Sequence, residues 1–310
     1  MKRNSDFAKN NKFQYYIFIK LFFGLSVLLV LTYLGISAYA AHILSKATRC
    51  FNREKRAVFV TPPQDVKFRA SDRVEISGWF IPQATVDKAV ILVHGLNVSR
   101  TCEFAGKFAE FASAMNQKGF SILTIDLRGH GQSNDSRFTF GITERRDIIA
   151  AVEWLKAEGF EPKKIGVLGV SMGSASVIGA AAENSDIGAV VIDSGYAEVY
   201  PVIQKHWQSA SGLPQIFLPS TMMFGALLTG YDLSSSKPVQ EIGRISPKPV
   251  LIIHSRFDPY TPVINAYQLK TALTSAEYWE TTASEHAGNY AENPQIYVKK
   301  VADFFQKSLK

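Results

Sequence analysis

The sequence predicts an α/β protein in which a mostly parallel sheet carries helices on both faces and one membrane-spanning helix precedes it. Two patterns predict the sheet: short runs made wholly of apolar residues, as expected of strands buried on both faces, and helical apolar stripes between those runs. A third observation, an uncharged stretch near the N-terminus, predicts the spanning helix. With 46% hydrophobic and 20% charged residues, the composition excludes a disordered or low-complexity chain.

The first element along the chain is the uncharged stretch at residues 21–41. At 1.5 Å per residue it is long enough to cross a bilayer core of about 30 Å, and basic residues flank it. We therefore predict a basic tail at residues 1–14, a transmembrane signal anchor at 15–44 and a juxtamembrane linker at 45–64. A cleaved signal peptide is the alternative, because Ala38-Tyr39-Ala40 fits a cleavage site.

The charge distribution decides between classes of macromolecular partner. Residues 1–56 hold ten Lys and Arg against two acidic residues, whereas the rest of the chain holds 24 basic and 25 acidic residues. A nearly neutral body has no basic surface for a phosphate backbone, so nucleic acid is excluded and the lipid bilayer is the predicted partner. Lys and Arg on both sides of the spanning stretch leave its orientation open. We expect a single-pass membrane protein whose body is extracytoplasmic, as the first helix of a secreted-like protein usually inserts that way.

The two cysteines, Cys50 and Cys102, are too few for a disulfide framework or a thiolate metal site. They exclude neither a reducing nor an oxidising compartment. Cys50 lies close enough to the membrane to be acylated, but a single juxtamembrane cysteine is more often inert.

The strands of the body follow a connector marked by Pro62 and Pro63. Alternating residues at 74–81 predict an antiparallel strand that ends before Pro82. Wholly apolar runs then predict buried parallel strands. These lie at residues 89–93, 121–125, 165–168, 189–192 and 250–253, with an edge-like strand at 278–281.

Two helical stripes lie between the strands. One runs from Phe104 to Met115, and the other from Ile148 to Leu155, with Thr143 as the expected N-cap and Gly159 as the expected C-cap. Residues from about 195 to 245 break the alternation of strands and helices, which predicts an inserted cap.

The pattern that indicates chemistry is Gly169-Val170-Ser171-Met172-Gly173, which directly follows one buried strand and precedes a helix of small residues. Glycines at both ends permit a tight turn that strains the serine backbone and exposes its hydroxyl, so Ser171 is the predicted nucleophile. A Gly/Ser turn that merely caps a helix is the alternative.

From residue 65 to 310 the chain resembles the α/β-hydrolases. The resemblance rests on Val93-His94-Gly95-Leu96, on the run of residues 126–133, on the turn around Ser171, and on Asp258 and His286. The chain is most similar to a membrane-anchored bacterial branch related to serine aminopeptidases and acyl-ester hydrolases. The resemblance implies an α/β-hydrolase domain with its cap at about 195–245, and hydrolysis by an activated serine.

A serine hydroxyl needs a base to take its proton and an acid to orient that base. His286 follows the last strand, where the family's chain order of serine, acid and histidine places the base. Asp258, after the strand at 250–253, is the favoured acid, and Asp193, at the end of the preceding strand, is the alternative acid.

The predicted oxyanion hole consists of two backbone N–H groups, those of Leu96 and Met172. His94 and the loop at 126–131 resemble family motifs that brace these loops, and we expect them to be structural.

These residues predict a membrane-anchored serine hydrolase that forms an acyl-enzyme from carboxylic esters or thioesters. A serine aminopeptidase or peptidase acting on small amides is the alternative within enzymes, with Glu198 or Asp232 as candidates to hold a substrate ammonium. A non-catalytic membrane-bound binding protein with the same fold is the alternative of another class. The apolar residues of the cap, among them Trp207 and Met222, suit an acyl chain, and an ordinary cap core is the alternative. No cofactor or metal is expected, because the sequence holds none of their motifs.

Overall fold

The computed structural model describes residues 2–84 and 87–310, with side chains from residue 13 onward, so most of the predicted basic tail at 1–14 lies outside the described side chains. Eight strands form one sheet in the order β1-β2-β4-β3-β5-β6-β7-β8. The strands are β1 Gln64–Arg69, β2 Glu75–Ile81, β3 Ala89–Val93, β4 Ser121–Ile125, β5 Ile165–Val170, β6 Ile187–Asp193, β7 Val250–Ser255 and β8 Glu277–Thr281.

The sheet is parallel from β4 to β8, and only the pairs β1/β2 and β2/β4 are antiparallel. This confirms the predicted fold class, the antiparallel strand before Pro82 and every predicted buried strand. The strand that the sequence did not predict is β1, which lies at the sheet edge with only Val66 buried. Its charged and exposed residues give no apolar run to recognise.

The helices cover both faces of the sheet. They are α1 Lys2–Leu44, α2 Glu103–Gly106, α3 Phe108–Gln117, α4 Arg145–Ala157, α5 Met172–Glu183, α6 Val199–Ser211, α7 Leu218–Thr229, α8 Pro238–Glu241, α9 Ile264–Ala272, α10 Asn289–Glu292 and α11 Pro294–Ser308. Alternate residues of β3 contact different layers: Ile91 and Val93 pack with α4 and α5, whereas Val90 and Leu92 pack with α3 and α11. The central strands are therefore buried from both sides, which explains their wholly apolar sequences.

Two details of the helices differ from the expectation. The stripe from Phe104 to Met115 is not one helix, because Phe104 and Ala105 have left-handed backbone angles with φ of 54° and separate α2 from α3. Thr143 is not the N-cap of α4, because the helix begins at Arg145 and the residue at its N-cap position is Glu144. The Thr143 hydroxyl instead pairs with Thr139 Oγ1 at 2.7 Å. Gly159 follows the end of α4 with φ of 99°, in the left-handed conformation expected of a residue that ends a helix.

Helix α1 includes an apolar span, Phe13–Leu44, whose most apolar 18 residues have a mean hydropathy of 2.3, and the span is long and apolar enough to cross a membrane. Its C-terminal half packs against residues 195–245, the segment predicted to be a cap, which contains α6, α7 and α8. The Tyr33 ring stacks on Phe217 with centroids 4.9 Å apart, and Ser37 Oγ lies 2.7 Å from Ser220 Oγ. The apolar helix and the cap are thus joined by direct contacts.

A disulfide joins Cys50 to Cys102, with the two Cα atoms 6.3 Å apart. The bond ties the segment after α1 to the start of α2. It corrects the expectation of an inert or acylated Cys50, because no free cysteine is left for acylation. The pairing could not be read from the sequence, since a sequence separation of 52 reveals nothing about the distance between the two cysteines in space.

Candidate active site

Ser171 occupies a strained turn between β5 and α5. Its φ of 53° and ψ of −115° lie outside the usual helix and strand regions, as the sequence predicts. Both flanking glycines are needed for this geometry. A Cβ on Gly169 would lie 2.4 Å from the Gly173 carbonyl oxygen, and a Cβ on Gly173 would lie 2.5 Å from the His94 carbonyl oxygen. The turn therefore presents the Ser171 hydroxyl at the carboxyl end of the sheet, where Asp258 and His286 also lie.

The loops after β7 and β8 bring Asp258 and His286 to the serine. His286 Nε2 lies 2.8 Å from Ser171 Oγ, and His286 Nδ1 lies 2.8 Å from Asp258 Oδ2. With Nδ1–H donating to the carboxylate, Nε2 is free to accept the serine proton. The Asp258 side chain is buried and the His286 side chain is 23% exposed, so the acid is shielded while the base remains reachable.

The surroundings of Asp258 favour its ionised form. Oδ1 accepts hydrogen bonds from the backbone N–H groups of Tyr260 and Thr261, at 2.9 and 2.8 Å. Burial alone would raise the pKa of Asp258, but the hydrogen bond and charge of His286, with the Thr261 N–H, hold that pKa below its usual value. Asp258 therefore offers a charged acceptor to the imidazole at neutral pH.

The alternative acid, Asp193, does not hydrogen-bond to His286. It is buried, and its carboxylate accepts from Ser194 Oγ, Asn289 Nδ2 and Tyr297 OH. Burial raises the pKa of Asp193 in spite of these donors. The geometry thus favours Asp258 over Asp193 as the partner of His286, and gives Asp193 a bracing position beneath the loop that carries the histidine.

The two predicted oxyanion donors lie beside the serine. Met172 is the first residue of α5, and Leu96 follows Gly95, at which a Cβ would lie 3.1 Å from Ser171 Cβ. Among the residues that the structure describes, neither the Leu96 nor the Met172 N–H has a hydrogen-bond acceptor. Both donors are therefore available to a substrate oxygen.

A buried carboxylate that the sequence analysis missed supports the Leu96 loop. Glu103 Oε2 accepts a hydrogen bond of 2.6 Å from the Gly95 N–H, and its Oε1 accepts one from the Phe104 N–H. Burial raises the pKa of Glu103. The sequence gives no motif from which this role of Glu103 could be predicted, because Glu103 is a single acidic residue at the start of an apolar stripe.

His94 and the loop at 126–131 brace the site, as expected. His94 Nδ1 pairs with the Gly95 carbonyl at 2.7 Å and its Nε2 accepts from the Leu127 N–H at 3.0 Å. Burial lowers the pKa of His94, which keeps it neutral and able to accept at Nε2. Asp126 accepts from the backbone N–H groups of Arg100 and Gln132 and forms a buried ion pair with the Arg100 side chain.

A cavity of about 250 Å³ opens over Ser171 and His286. Its other walls are mostly apolar, from the cap and the neighbouring loops. They are formed by Leu96, Asn97, Phe140, Met172, Tyr196, Val199, Val202, Ile203 and Tyr260. None of the described residues in this lining is an Asp or Glu.

The two carboxylates considered for binding an ammonium group lie elsewhere. Glu198 faces Lys237 at 4.0 Å, and Asp232 accepts from the Ser234 N–H at a short 3₁₀-helix. Neither lines the cavity at Ser171. Likewise, the described part of the chain contains no cluster of three or more metal-ligating side chains.

An eight-stranded, mostly parallel sheet with a strained serine turn at the carboxyl end of a central strand defines an α/β-hydrolase. Residues 84–241 match the profile of the family Hydrolase_4, described as serine aminopeptidase, S33, and the chain belongs to this family. It is an α/β-hydrolase of the esterase and S33 kind.

Similar proteins cover most of the chain. The uncharacterized protein YqkD of Bacillus subtilis is 28% identical over 261 residues, which span 82% of this chain and 80% of that protein. The uncharacterized protein YfhR of Escherichia coli is 22% identical over 257 residues, 79% of this chain and 81% of that protein. Among solved structures, the Pyrococcus furiosus esterase Pf2001 matches with a TM-score of 0.70 at 25% identity. The match covers 86% of this chain and 100% of the esterase chain.

Proposed function

We propose that the protein is a membrane-anchored serine hydrolase that cleaves carboxylic esters or thioesters through an acyl-enzyme. The observation that carries the proposal is the pair of 2.8 Å contacts that links Ser171, His286 and Asp258. This is the arrangement in which a histidine activates a serine while a carboxylate holds the histidine in the required tautomer.

In the first half of the reaction, His286 Nε2 takes the Ser171 proton as Oγ attacks the substrate carbonyl carbon. The N–H groups of Leu96 and Met172 donate to the oxygen that becomes negative. His286 then gives the proton to the departing alkoxide or thiolate, which leaves the acyl group on Ser171. A water molecule, deprotonated by the same nitrogen, releases the carboxylic acid and restores the serine.

The walls of the site support an ester or thioester over an aminopeptidase substrate. A free substrate ammonium would lose its hydration in a mostly apolar cavity whose described lining offers no carboxylate. The peptidase alternative rests on the description of the family and on the shared chemistry of the serine. The contacts among Ser171, His286 and Asp258 support a catalytic protein over the non-catalytic alternative, because an activated serine requires such contacts.

Two observations support an uncleaved anchor with the body in an oxidising compartment. The possible cleavage site at 38–40 lies inside α1, where Ala40 is buried against Trp207 and Leu218 of the cap. Cleavage would remove this contact. The Cys50–Cys102 disulfide is of the kind that persists outside the reducing cytosol, which supports an extracytoplasmic body.

Labelling of the full-length protein in detergent with a fluorophosphonate probe tests the proposal. We expect strong labelling of the wild type, none of Ser171→Ala and little of His286→Ala. Hydrolysis of p-nitrophenyl acetate should fall by about four orders of magnitude in both variants, because removing either group disables the whole unit.

The matched control is Ser209→Ala, which changes an exposed serine of the cap and should label like the wild type. Persistent labelling of Ser171→Ala would show that another residue is the nucleophile. A folded wild type that neither labels nor hydrolyses the ester would favour the non-catalytic alternative.

A further inference from the structure

A second cavity, which we call the outer cavity, adjoins the one at Ser171 and has a volume of about 180 Å³. The two cavities share five lining residues: Leu96, Asn97, Phe140, Ile203 and Tyr260. Tyr260 links them most directly, since its ring also lies 5.1 Å from the His286 ring. A substrate bound at Ser171 therefore has space to continue past these side chains, away from the catalytic residues.

The far wall of the outer cavity is the end of α1. Ala41 and Leu44 of this helix line the cavity together with Ser45, which directly follows the helix, and Trp207 and Met222 line it from the cap. The lining is predominantly apolar, with Ser45, Asn97, His206, Thr221 and Tyr260 as its polar members. An apolar cavity of about 150 Å³ already accommodates benzene, so the outer cavity can hold a segment of hydrocarbon chain.

Helix α7, which forms part of this cavity, lies beside the apolar span of α1. Its contacts with Ser37 and Tyr33 are four and eight residues before Ala41, or about 6 and 12 Å deeper along α1 at 1.5 Å per residue. Helix α7 also exposes large apolar side chains: Met223 is 50% exposed, Leu227 72% and Leu228 42%. If α1 spans the bilayer, these side chains lie close enough to α1 to meet lipid as well.

We infer that the outer cavity binds the acyl chain of an ester that resides in the same bilayer as the anchor, and that α1 is itself part of the substrate site. The inference rests on the proposed function and narrows its substrate class to long-chain acyl esters of membrane lipids. The acyl chain lies in the outer cavity, beside the end of α1 and α7, and its carbonyl reaches Ser171 past the five lining residues that the two cavities share. The reaction at the carbonyl is unchanged.

Filling the outer cavity tests the inference with two matched pairs of variants in full-length protein. On α1, Ala41→Trp points into the cavity, whereas Ile43→Trp changes an exposed residue. On α7, Met222→Trp points into the cavity, whereas Met223→Trp changes its exposed neighbour. The readout is the ratio of kcat/KM for p-nitrophenyl dodecanoate to that for p-nitrophenyl acetate, in detergent micelles.

We expect this ratio to fall at least about tenfold in Ala41→Trp and Met222→Trp, the contribution of roughly two buried methylene groups. It should stay within about twofold of the wild type in the two exposed variants, as is usual for surface substitutions. Because Met222 approaches the cavity from the cap, the test does not depend on α1 tolerating a tryptophan. An unchanged ratio in either cavity variant that still hydrolyses the acetate would overturn the inference.

The source of the acyl chain is tested with one probe presented in two ways. Full-length protein in a phosphatidylcholine nanodisc receives p-nitrophenyl hexadecanoate either in its own disc or in separate protein-free vesicles. Entry from the bilayer predicts much faster hydrolysis in the shared disc, and equal rates would overturn it. A wild type that hydrolyses neither the acetate nor these esters and does not react with the fluorophosphonate would instead overturn the proposed function, and this inference with it.

Discussion

Two aspartates at the ends of neighbouring strands show how surroundings assign different roles to the same side chain. Asp258 accepts from His286 and two backbone N–H groups, whereas Asp193 accepts from Ser194, Asn289 and Tyr297. Both positions fit the acid of a triad in sequence, and the sequence could only rank them. The three-dimensional partners of each carboxylate distinguish them.

Replacing each aspartate by asparagine separates the two roles. We expect Asp258→Asn to lower kcat by up to about 10⁴-fold with little change in thermal stability, because it favours the wrong histidine tautomer. We expect Asp193→Asn to cost about 2 kcal/mol of unfolding free energy, since it replaces one acceptor oxygen with an NH₂ donor that faces buried donors, with a smaller loss of kcat. Measurements of kcat and of thermal melting for both variants test this assignment. A larger loss of kcat in Asp193→Asn than in Asp258→Asn would mean that the acid is misassigned.

Single residues were predictable where a local pattern required them. Ser171 stands in a motif whose two glycines leave no room for a side chain, and His286 follows the last strand. Glu103 was not predictable, because its role depends on Gly95, eight residues earlier, folding back over it.

At the scale of elements, the contact between α1 and α7 joins a predicted membrane helix to a predicted cap. Small residues allow the close approach: Ser37 is fully buried and Ser220 nearly so. Tyr33 adds a hydrogen bond of 2.7 Å to the Ile216 carbonyl. Packing of this kind is what holds helices together where lipid removes the hydrophobic driving force.

A bulky side chain at Ser37 should separate these two helices. We expect Ser37→Leu to destabilise the full-length protein by about 1 to 3 kcal/mol, the usual cost of overpacking, and to make the cap more sensitive to protease. The control is Ser26→Leu, because Ser26 lies on the same helix and, among the residues that the structure describes, its hydroxyl donates only to the Phe22 carbonyl of that helix. Thermal melting and limited proteolysis in detergent provide the measurements, and equal behaviour of the two variants would contradict the role of this contact.

Elements were predictable to the extent that burial shaped their sequences. The strands from β3 to β7 lie between two helical layers and read as apolar runs, so they were found with bounds correct to within two residues. The edge strand β1 carries Asp65, Lys67 and Arg69 and was missed. The break between α2 and α3 was also missed, because an apolar stripe does not report the backbone angles of Phe104 and Ala105.

At the scale of the whole molecule, the N-terminal segment is held to the body at two places, by the packing of α1 on α7 and by the disulfide. The Cys50–Cys102 bond closes a loop with a sequence separation of 52. In the chain-entropy model, a loop of that size stabilises the folded state by about 4 kcal/mol. The first part of this attachment, the apolar helix, was visible in the sequence, and the second was not.

Counting thiols tests the disulfide directly. Protein purified from membranes without reductant should bind no maleimide after denaturation, and two equivalents after reduction. The Cys50→Ser, Cys102→Ser double variant should melt at a lower temperature, because its unfolded chain is less constrained. The single variant Cys50→Ser leaves Cys102 without its partner. It should therefore bind one equivalent of maleimide without reduction, which shows that the reagent reaches Cys102. Two reactive thiols in the unreduced wild type would contradict the bond and remove its support for an extracytoplasmic body.

If α1 anchors the body in a membrane, as proposed, the same bond determines where a protease could release it. The segment between the two cysteines includes the 3₁₀-helix Arg53–Val58 and the adjacent Val60, which is 88% exposed. A cut there would divide the chain but leave the catalytic part tethered through Cys102 to Cys50 and α1. Shedding therefore requires a cut in the few residues between Leu44 and Cys50, or reduction of the disulfide after a cut farther along.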